Sequence, residues 1–288
     1  MNFRKYNIAD IDIEIQEDCV VNVENQFKPF ETDCTLNPVR IYFKKIGHRL
    51  EINKENLILE KDELFREYFL DSQYIRAFFF SGDEMYAKLY RLERNKWICE
   101  YIEKADYRLS KMNNLFSHIA FERIMLDNRA IILHASLIRV NGRGILFSGP
   151  SGIGKSTQAD LWCQYEDAEL INGDKVIIRN VDGVWYGYGS PFAGSSDVFK
   201  NERVPIEGIV FLNRAVDECS CRRLSLAESF RYLYLNTTLN SWNLEFMDCA
   251  MDLIQKIMDD VKLYELRNQK DYSSVKCLKQ TLNLEVKL

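Results

Sequence analysis

Residues 144–157 combine glycines, a lysine and hydroxyl side chains at a spacing that suits phosphate binding. The stretch fits the pattern GxxxxGK followed by Ser or Thr, with Gly149, Gly154, Lys155 and Ser156 at the fixed places. Glycines let backbone N–H groups converge on phosphate oxygens, and a helix that follows directs its positive end toward them. The pattern therefore predicts a nucleoside triphosphate site, with ATP and Mg²⁺ as the expected ligands.

In this site Lys155 would hold the β- and γ-phosphates, and Ser156 would ligate Mg²⁺. The expected phosphate-binding residues are Gly149, Pro150, Ser151, Gly152, Ile153, Gly154, Lys155, Ser156 and Thr157.

Phosphoryl transfer also needs a metal partner and a group that activates the acceptor. Asp174 follows the short predicted strand 169–172, and strand ends of such sheets face the nucleotide. A turn-forming aspartate is the alternative for Asp174. His134 precedes the strand that leads into the glycine-rich loop, although its apolar neighbours are also typical of a hydrogen-bonded core histidine. Residues 189–198, rich in Gly and Ser, could close over phosphate or form an ordinary exposed connection.

The elements around these residues follow from hydrophobic periodicity and turn signals. A strand over 131–140, an Asn-Gly turn at 141–142 and a strand over 144–147 predict an antiparallel hairpin ahead of the loop, which is unusual for a doubly wound protein. Further predicted elements are a helix at 157–164, strands at 169–172, 176–179, 184–188, 209–212 and 262–266, and helices at 225–236, 244–259 and 271–282.

Residues 1–107 show short β-type runs and no motif for phosphate, metal or nucleophile, so we expect a mainly antiparallel recognition or assembly module there. An apolar stripe over 110–127 predicts a helix that separates this module from a second domain at 108–288.

Composition excludes several classes. The 288 residues are 47% hydrophobic and 28% charged, and the net charge of −5 gives no electrostatic reason to expect nucleic-acid binding. Every apolar run is shorter than a bilayer span, so we expect a cytoplasmic protein with no membrane partner. Eight scattered cysteines indicate free structural thiols, with a metal or redox role for Cys219 and Cys221 as the alternative.

The order of His134, hairpin, Gly-Pro-Ser-Gly-Ile-Gly-Lys-Ser-Thr, helix and then Leu-Ile-Asn-Gly-Asp at 170–174 resembles the C-terminal catalytic domain of HPr kinase/phosphorylase. That family shares a core with phosphoenolpyruvate carboxykinase, and the resemblance covers roughly residues 130–213. It implies an α+β or α/β P-loop core with a mixed sheet. The family has an Asp-Asp pair whose second member is the general base toward a protein serine. Asp174 matches the second position, whereas the first is Gly173, whose role would be lost or supplied by Asp197.

Two other P-loop classes fit the sequence less well. Guanylate kinases begin with the loop and follow it with an Arg/Tyr-rich clamp, whereas about half of this chain precedes the loop. ABC ATPases need an LSGGQ signature, and the nearest string, at 224–228, has no glycine.

The resemblance implies an ATP-dependent kinase that phosphorylates a hydroxyl group of a protein or peptide, and a serine hydroxyl is the expected acceptor. The expected catalytic residues are Asp174, Lys155 and His134, and the expected metal ligands are Ser156 and Asp174. Because residues 1–107 do not resemble the family's N-terminal domain, the chain looks more like the members associated with modified-peptide biosynthesis. A non-catalytic nucleotide sensor or peptide-binding protein, a small-molecule kinase and self-association into a homo-oligomer all stay open.

Overall fold

The computed structural model describes residues 3–61, 65–80, 82–215 and 217–284. The chain divides into two compact units, Met1–Ile124 and Met125–Leu288. Each unit is built on its own mixed sheet with helices packed against it. The fold is therefore mixed α/β, as the sequence predicts.

The strands of the first unit are β1 (Arg4–Ile8), β2 (Ile11–Glu17), β3 (Val39–Ile46), β4 (Leu57–Lys61), β5 (Phe65–Leu70), β6 (Gln73–Phe79), β7 (Met85–Glu93) and β8 (Lys96–Ile102). They form one sheet with the order β1-β2-β3-β8-β7-β6-β5-β4. The pair β1–β2 and the run from β8 to β4 are antiparallel, whereas β2–β3 and β3–β8 are parallel. Long connections make parallel pairing possible, because parallel strands need a crossover rather than a tight turn.

Two short helices, α1 (Met112–Ser117) and α2 (Phe121–Asp127), replace the single helix predicted over 110–127. The Asn114 carbonyl accepts hydrogen bonds from the Ser117 hydroxyl at 2.7 Å and from Nδ1 of His118 at 2.6 Å. The backbone N–H of His118 bonds the Leu115 carbonyl instead, at 3.0 Å. Side chains thus compete with the helical bond at this point and end α1.

Helix α1 belongs to the core of the first unit. The Phe116 ring stacks on Phe27 with centroids 4.9 Å apart and meets Tyr6 edge-on at 5.8 Å. These contacts attach α1 to the first compact unit, which extends to Ile124, whereas sequence analysis places the domain boundary between 107 and 108.

The elements of the second unit are β9 (Ala130–Val140), β10 (Arg143–Ser148), α3 (Lys155–Glu166), β11 (Glu169–Asn172), β12 (Lys175–Val181), β13 (Val184–Tyr188), β14 (Arg203–Arg214), β15 (Ser220–Arg223), α4 (Leu226–Asn236), α5 (Leu244–Asp260), β16 (Leu263–Asn268) and α6 (Tyr272–Leu282). Its sheet has the order β10-β9-β12-β13-β14-β16-β15, with β11 beside β9 and an additional pairing of β10 with β14. The pairings from β10 through β9, β12 and β13 to β14 therefore close into a circuit.

Strand directions bring several carboxyl ends to one edge of this sheet. β9 and β10 are antiparallel through the turn at Asn141 and Gly142, whose φ values are 50° and 73°. β10, β14 and β16 are mutually parallel, and β11 is antiparallel to β9 and so parallel to β10. The ends of β10 and β11, where the glycine-rich loop and Asp174 follow, therefore lie at the same edge.

Apolar side chains cover both faces of the sheet. One cluster joins sheet residues such as Leu146 and Phe211 to α4 and α5, and the other joins Phe147 and Val210 to Trp162 of α3 and to α6. Within the described ranges, no helix combines the length and apolar character that a membrane crossing requires.

The buried imidazole of His118 generates a prediction for acid stability. Its Nε2 lies 2.8 Å from the Tyr86 hydroxyl, and burial lowers the pKa of His118 from 6.5 to about 4. The folded chain keeps this histidine neutral, whereas the unfolded chain binds a proton below about pH 6.5. The free energy of unfolding should therefore fall as the pH drops from 6.5 toward 4, by up to about 1.4 kcal/mol per pH unit from this group.

Urea unfolding at several pH values measures this contribution. His118→Gln should show a shallower loss of stability over that window than the wild type, and His48→Gln, at an exposed histidine, should follow the wild type. Identical slopes for His118→Gln and the wild type would contradict the assignment.

Candidate functional site

The loop between β10 and α3 has a backbone that only glycines adopt readily. Gly149, Gly152 and Gly154 have φ values of 142°, 75° and 114°. A Cβ at Gly149 would also lie 3.2 Å from Cγ2 of Ile153 and 3.4 Å from the Leu212 carbonyl oxygen. The glycines of the motif are thus required by the shape of the loop.

Helix α3 begins with donors suited to an anion. Gly154 is its N-cap residue, and no side chain of the described residues caps the helix or places an acidic group in its first turn. The first backbone N–H groups of a helix lack intrahelical partners and carry partial positive charge. The loop and this 12-residue helix therefore offer phosphate a cradle of amides. Ser156 is exposed and Thr157 half-buried at the same helix end.

Lys155 lies across the loop that it follows. Its Nζ donates to the carbonyl oxygens of Gly149 at 3.1 Å and Pro150 at 3.3 Å. Burial lowers the pKa of the Lys155 ammonium, and the nearby Asp174 carboxylate opposes that effect. Lys155 is thus within electrostatic range of both the phosphate loop and Asp174.

His134 and Asp174 form a pair beside the loop. Nε2 of His134 lies 2.9 Å from Oδ1 of Asp174, and the two side chains are 38% and 31% exposed, so a ligand can reach both. The hydrogen bond from His134 holds the pKa of Asp174 below its ordinary value, against the effect of burial. Asp174 is therefore an ionised carboxylate at neutral pH.

Backbone contacts fix the position of this pair. The N–H of Ala135 donates to the Asp174 carbonyl at 2.8 Å, and the Ser148 hydroxyl donates to the His134 carbonyl at 2.9 Å. The side-chain oxygen of Asn172 accepts from the Asp174 N–H at 3.0 Å, as in an Asx-turn. The carboxylate is oriented by the middle of β9, the end of β10 and the turn after β11.

The segment 189–200 folds back onto that turn. The Asn172 amide nitrogen donates to the Ser190 carbonyl at 3.0 Å, the Ser190 hydroxyl donates to the Lys175 carbonyl at 2.6 Å, and the Lys175 N–H donates to the Phe192 carbonyl at 3.2 Å. The predicted connection therefore forms one wall beside Asp174.

Ser196 occupies the space of a side chain at residue 173. A Cβ on Gly173 would lie 2.1 Å from the Ser196 hydroxyl oxygen and 2.9 Å from the Ala193 carbonyl oxygen. The contact with Gly173 thus comes from Ser196. Asp197, which the sequence analysis names as the alternative to a lost carboxylate role, is exposed at a φ of 51°. Sequence reasoning missed Ser196 because nothing in the chain order shows which loop residue would reach Gly173.

Two downstream cations have other partners. Lys200 forms an ion pair with Glu169, and Arg203 donates to the Tyr188 hydroxyl at 3.2 Å while stacking 4.7 Å from the Tyr186 ring centroid. Neither is brought to the phosphate loop by these contacts.

The metal ligands expected from the sequence, Ser156 and Asp174, make a sparse donor set. Among the described residues, no group of three or more His, Cys, Asp or Glu side chains could hold a metal ion. Cys219 and Cys221 are free thiols packed at the margin of the core between the sheet, α3 and α6. A sparse set suits Mg²⁺, which keeps waters and binds substrate phosphate through one or two protein ligands.

No protein-family model matches the chain, and no curated protein matches it either. Among solved structures, the HPr(Ser) kinase/phosphatase from Coxiella burnetii is similar over 33% of this chain and 72% of its own, at 13% sequence identity and a TM-score of 0.25. This similarity is weak.

The close approach of Ser196 to Gly173 predicts a suppressible defect. Gly173→Ala should destabilise the chain by about 1–3 kcal/mol, because the added methyl group overlaps the Ser196 side chain. Ser196→Gly should remove part of that loss in the double variant, because the Ala193 carbonyl oxygen would still lie 2.9 Å from the added methyl group. Chemical denaturation of the wild type, both single variants and the double variant measures the coupling, and additive effects would contradict the contact.

Proposed function

We propose that the chain is an ATP-dependent kinase that transfers the γ-phosphoryl group to a serine hydroxyl of a protein or peptide. The observation that carries the proposal is the ionised Asp174 carboxylate, oriented by His134 and within electrostatic range of Lys155 at the glycine-rich loop. A phosphate cradle supplies binding, and a carboxylate beside it supplies a proton acceptor.

The binding roles follow from the loop. Gly149 to Thr157 would surround the phosphates with backbone amides, and Lys155 would move from the Gly149 and Pro150 carbonyls to the β- and γ-phosphates. Ser156 would ligate Mg²⁺, which neutralises charge on the transferring group, and Asp174 would face the metal site without giving up the oxygen that accepts the proton. These groups position the reactants and stabilise charge, which is most of what phosphoryl transfer asks of a protein.

Asp174 would act as the general base. Because His134 occupies Oδ1, the second carboxylate oxygen remains to accept the proton of the acceptor hydroxyl. His134 then serves as the positioning residue that keeps the carboxylate ionised and oriented. In this proposal His134 acts on Asp174 at the site and is not an ordinary core histidine.

A second candidate follows from Gly173. Residue 173 has no side chain, and Ser196 fills the space beside it. The turn therefore carries one carboxylate, whereas the kinases that the sequence resembles carry two. A nucleotide sensor or peptide-binding protein would keep the phosphate cradle and transfer nothing. Phosphorylation of a small molecule is a third candidate. It differs from phosphorylation of a protein or peptide only in the molecule that carries the acceptor hydroxyl.

We also propose that the first unit recognises the acceptor or a partner. It contains an open groove of about 640 Å³ whose rim carries charges of both signs, among them Arg49, Lys104 and Glu84. A groove of this volume is in the range of ligand-binding pockets, and the polar groups on its rim would orient a bound part of the acceptor. The first unit would then select the acceptor, and the second unit would carry out phosphoryl transfer.

Thermal unfolding with ATP and Mg²⁺ tests the binding site. At about 100 times its Kd the nucleotide should add about 2.7 kcal/mol of stability and raise the Tm of the wild type. Lys155→Ala should lose most of that rise, whereas Lys256→Ala, an exposed lysine on α5, should keep it. A wild type whose Tm is unchanged by any nucleoside triphosphate would contradict the proposal.

Asp174→Asn separates the kinase from the sensor. The variant keeps the shape of the site but lacks the proton acceptor, so it should bind ATP like the wild type and lose about 100-fold or more in transfer rate. ADP release with the serine peptide that the wild type phosphorylates best is the measurement. Transfer at the wild-type rate would remove Asp174 from the mechanism, and a wild type that binds ATP but phosphorylates nothing would favour the sensor.

A further inference from the structure

The backbone at Gly194 touches the carboxylate proposed as the base. A Cβ at Gly194 would lie 2.9 Å from Cβ of Asp174 and 3.5 Å from its Oδ2, and Gly194 has a φ of 59°. His134 bonds the other oxygen, Oδ1. The segment around Gly194 therefore faces the carboxylate oxygen that remains to accept a proton.

Two serines follow Gly194, and their surroundings differ. Ser196 donates its hydroxyl to the Ala193 carbonyl at 2.8 Å, accepts from the Val198 N–H at 3.3 Å and packs on Gly173. Ser195 is exposed and immediately follows the residue in contact with Asp174. Of the two serines, Ser195 is therefore the one that adjoins the residue packed on Asp174 and has an exposed side chain.

The segment that carries Ser195 is anchored on both sides. Before it, the Phe192 carbonyl accepts from the Lys175 N–H at 3.2 Å, and after it the Lys200 N–H donates to the Ile171 carbonyl at 3.4 Å. Ser195 is thus tethered at the Asp174 turn, which raises its effective concentration there above that of any free acceptor.

We propose that Ser195 is a self-phosphorylation site and accepts the γ-phosphoryl group within the same molecule. The inference rests on the proposed kinase function. In the step, the Ser195 Oγ forms a bond to the γ-phosphorus while the bond from that phosphorus to the β,γ-bridging oxygen breaks. The electron pair leaves with ADP, and Asp174 takes the hydroxyl proton.

Nearby cations suit the product. A phosphoserine carries a charge of about −1.5 to −2 at pH 7 and would be repelled by Asp174. Lys155 is within electrostatic range of Asp174, and Nζ of Lys175 lies 5.5 Å from the centroid of the Phe192 ring in the same segment. In the proposed product, Lys155 and Lys175 would be the cations available to offset that repulsion.

Mass spectrometry of the full chain incubated with ATP and Mg²⁺ tests the proposal. We expect the mass of one added HPO₃ group, mapped by fragmentation to Ser195. Ser195→Ala and Asp174→Asn should lack it, although ATP should still raise the Tm of both variants. Ser196→Ala is the matched control and should retain it. The rate per molecule should not change with protein concentration, because the acceptor belongs to the same chain.

The proposal is overturned if ATP raises the Tm of the wild type but no HPO₃ group is added to it. That result would leave the proposed kinase function standing. The proposal is equally overturned by phosphate on Ser196 or elsewhere, or by a rate per molecule that rises in proportion to protein concentration. A chain that neither gains Tm with ATP nor takes up HPO₃ would overturn both this inference and the proposed function.

Discussion

The site depends on how the turn after β11 is seated on β9. The N–H of Ala135 donates to the Asp174 carbonyl, and the Ser136 hydroxyl donates to the Gly173 carbonyl at 3.0 Å. The same stretch of β9 pairs with the last residue of β10, Ser148, on its other side. One strand thus holds the Asp174 turn and the start of the phosphate loop at a common edge, and the direction of His134 follows from its place on that strand.

Much of the second unit could be predicted from the sequence, because its apolar runs are long and its turns carry Asn-Gly or Asp-Gly. The hairpin β9–β10 and the helices α4 and α5 follow their predicted ranges closely. The sequence analysis missed strand β15 because Ser-Cys-Arg-Arg does not alternate apolar and polar residues. In the structure, hydrogen bonding to β16 makes this segment a strand. The break between α1 and α2 was missed because it comes from side chains bonding the Asn114 carbonyl, which periodicity does not show.

The candidate site was predictable where chemistry lies in consecutive residues and unpredictable where two distant segments meet. Gly149 to Thr157 and Asp174 stand out by type and position. The bond from His134 to Asp174 was suggested only by chain order and resemblance. The insertion of Ser196 at Gly173 could not be foreseen, because it depends on the path of the segment 189–200. From the sequence, Gly173 suggests only that a carboxylate has been lost. In the structure, the absence of a side chain at Gly173 leaves room for Ser196.

A crystal structure of the chain with Mg²⁺ and a non-hydrolysable ATP analogue tests the central claim most directly. The account predicts β- and γ-phosphates in the loop of residues 149–157, with Lys155 Nζ moved from the Gly149 and Pro150 carbonyls to phosphate oxygens. It also predicts a γ-phosphate that faces Asp174. An analogue bound elsewhere, or one whose γ-phosphate points away from Asp174 while Lys155 keeps its present bonds, would contradict it.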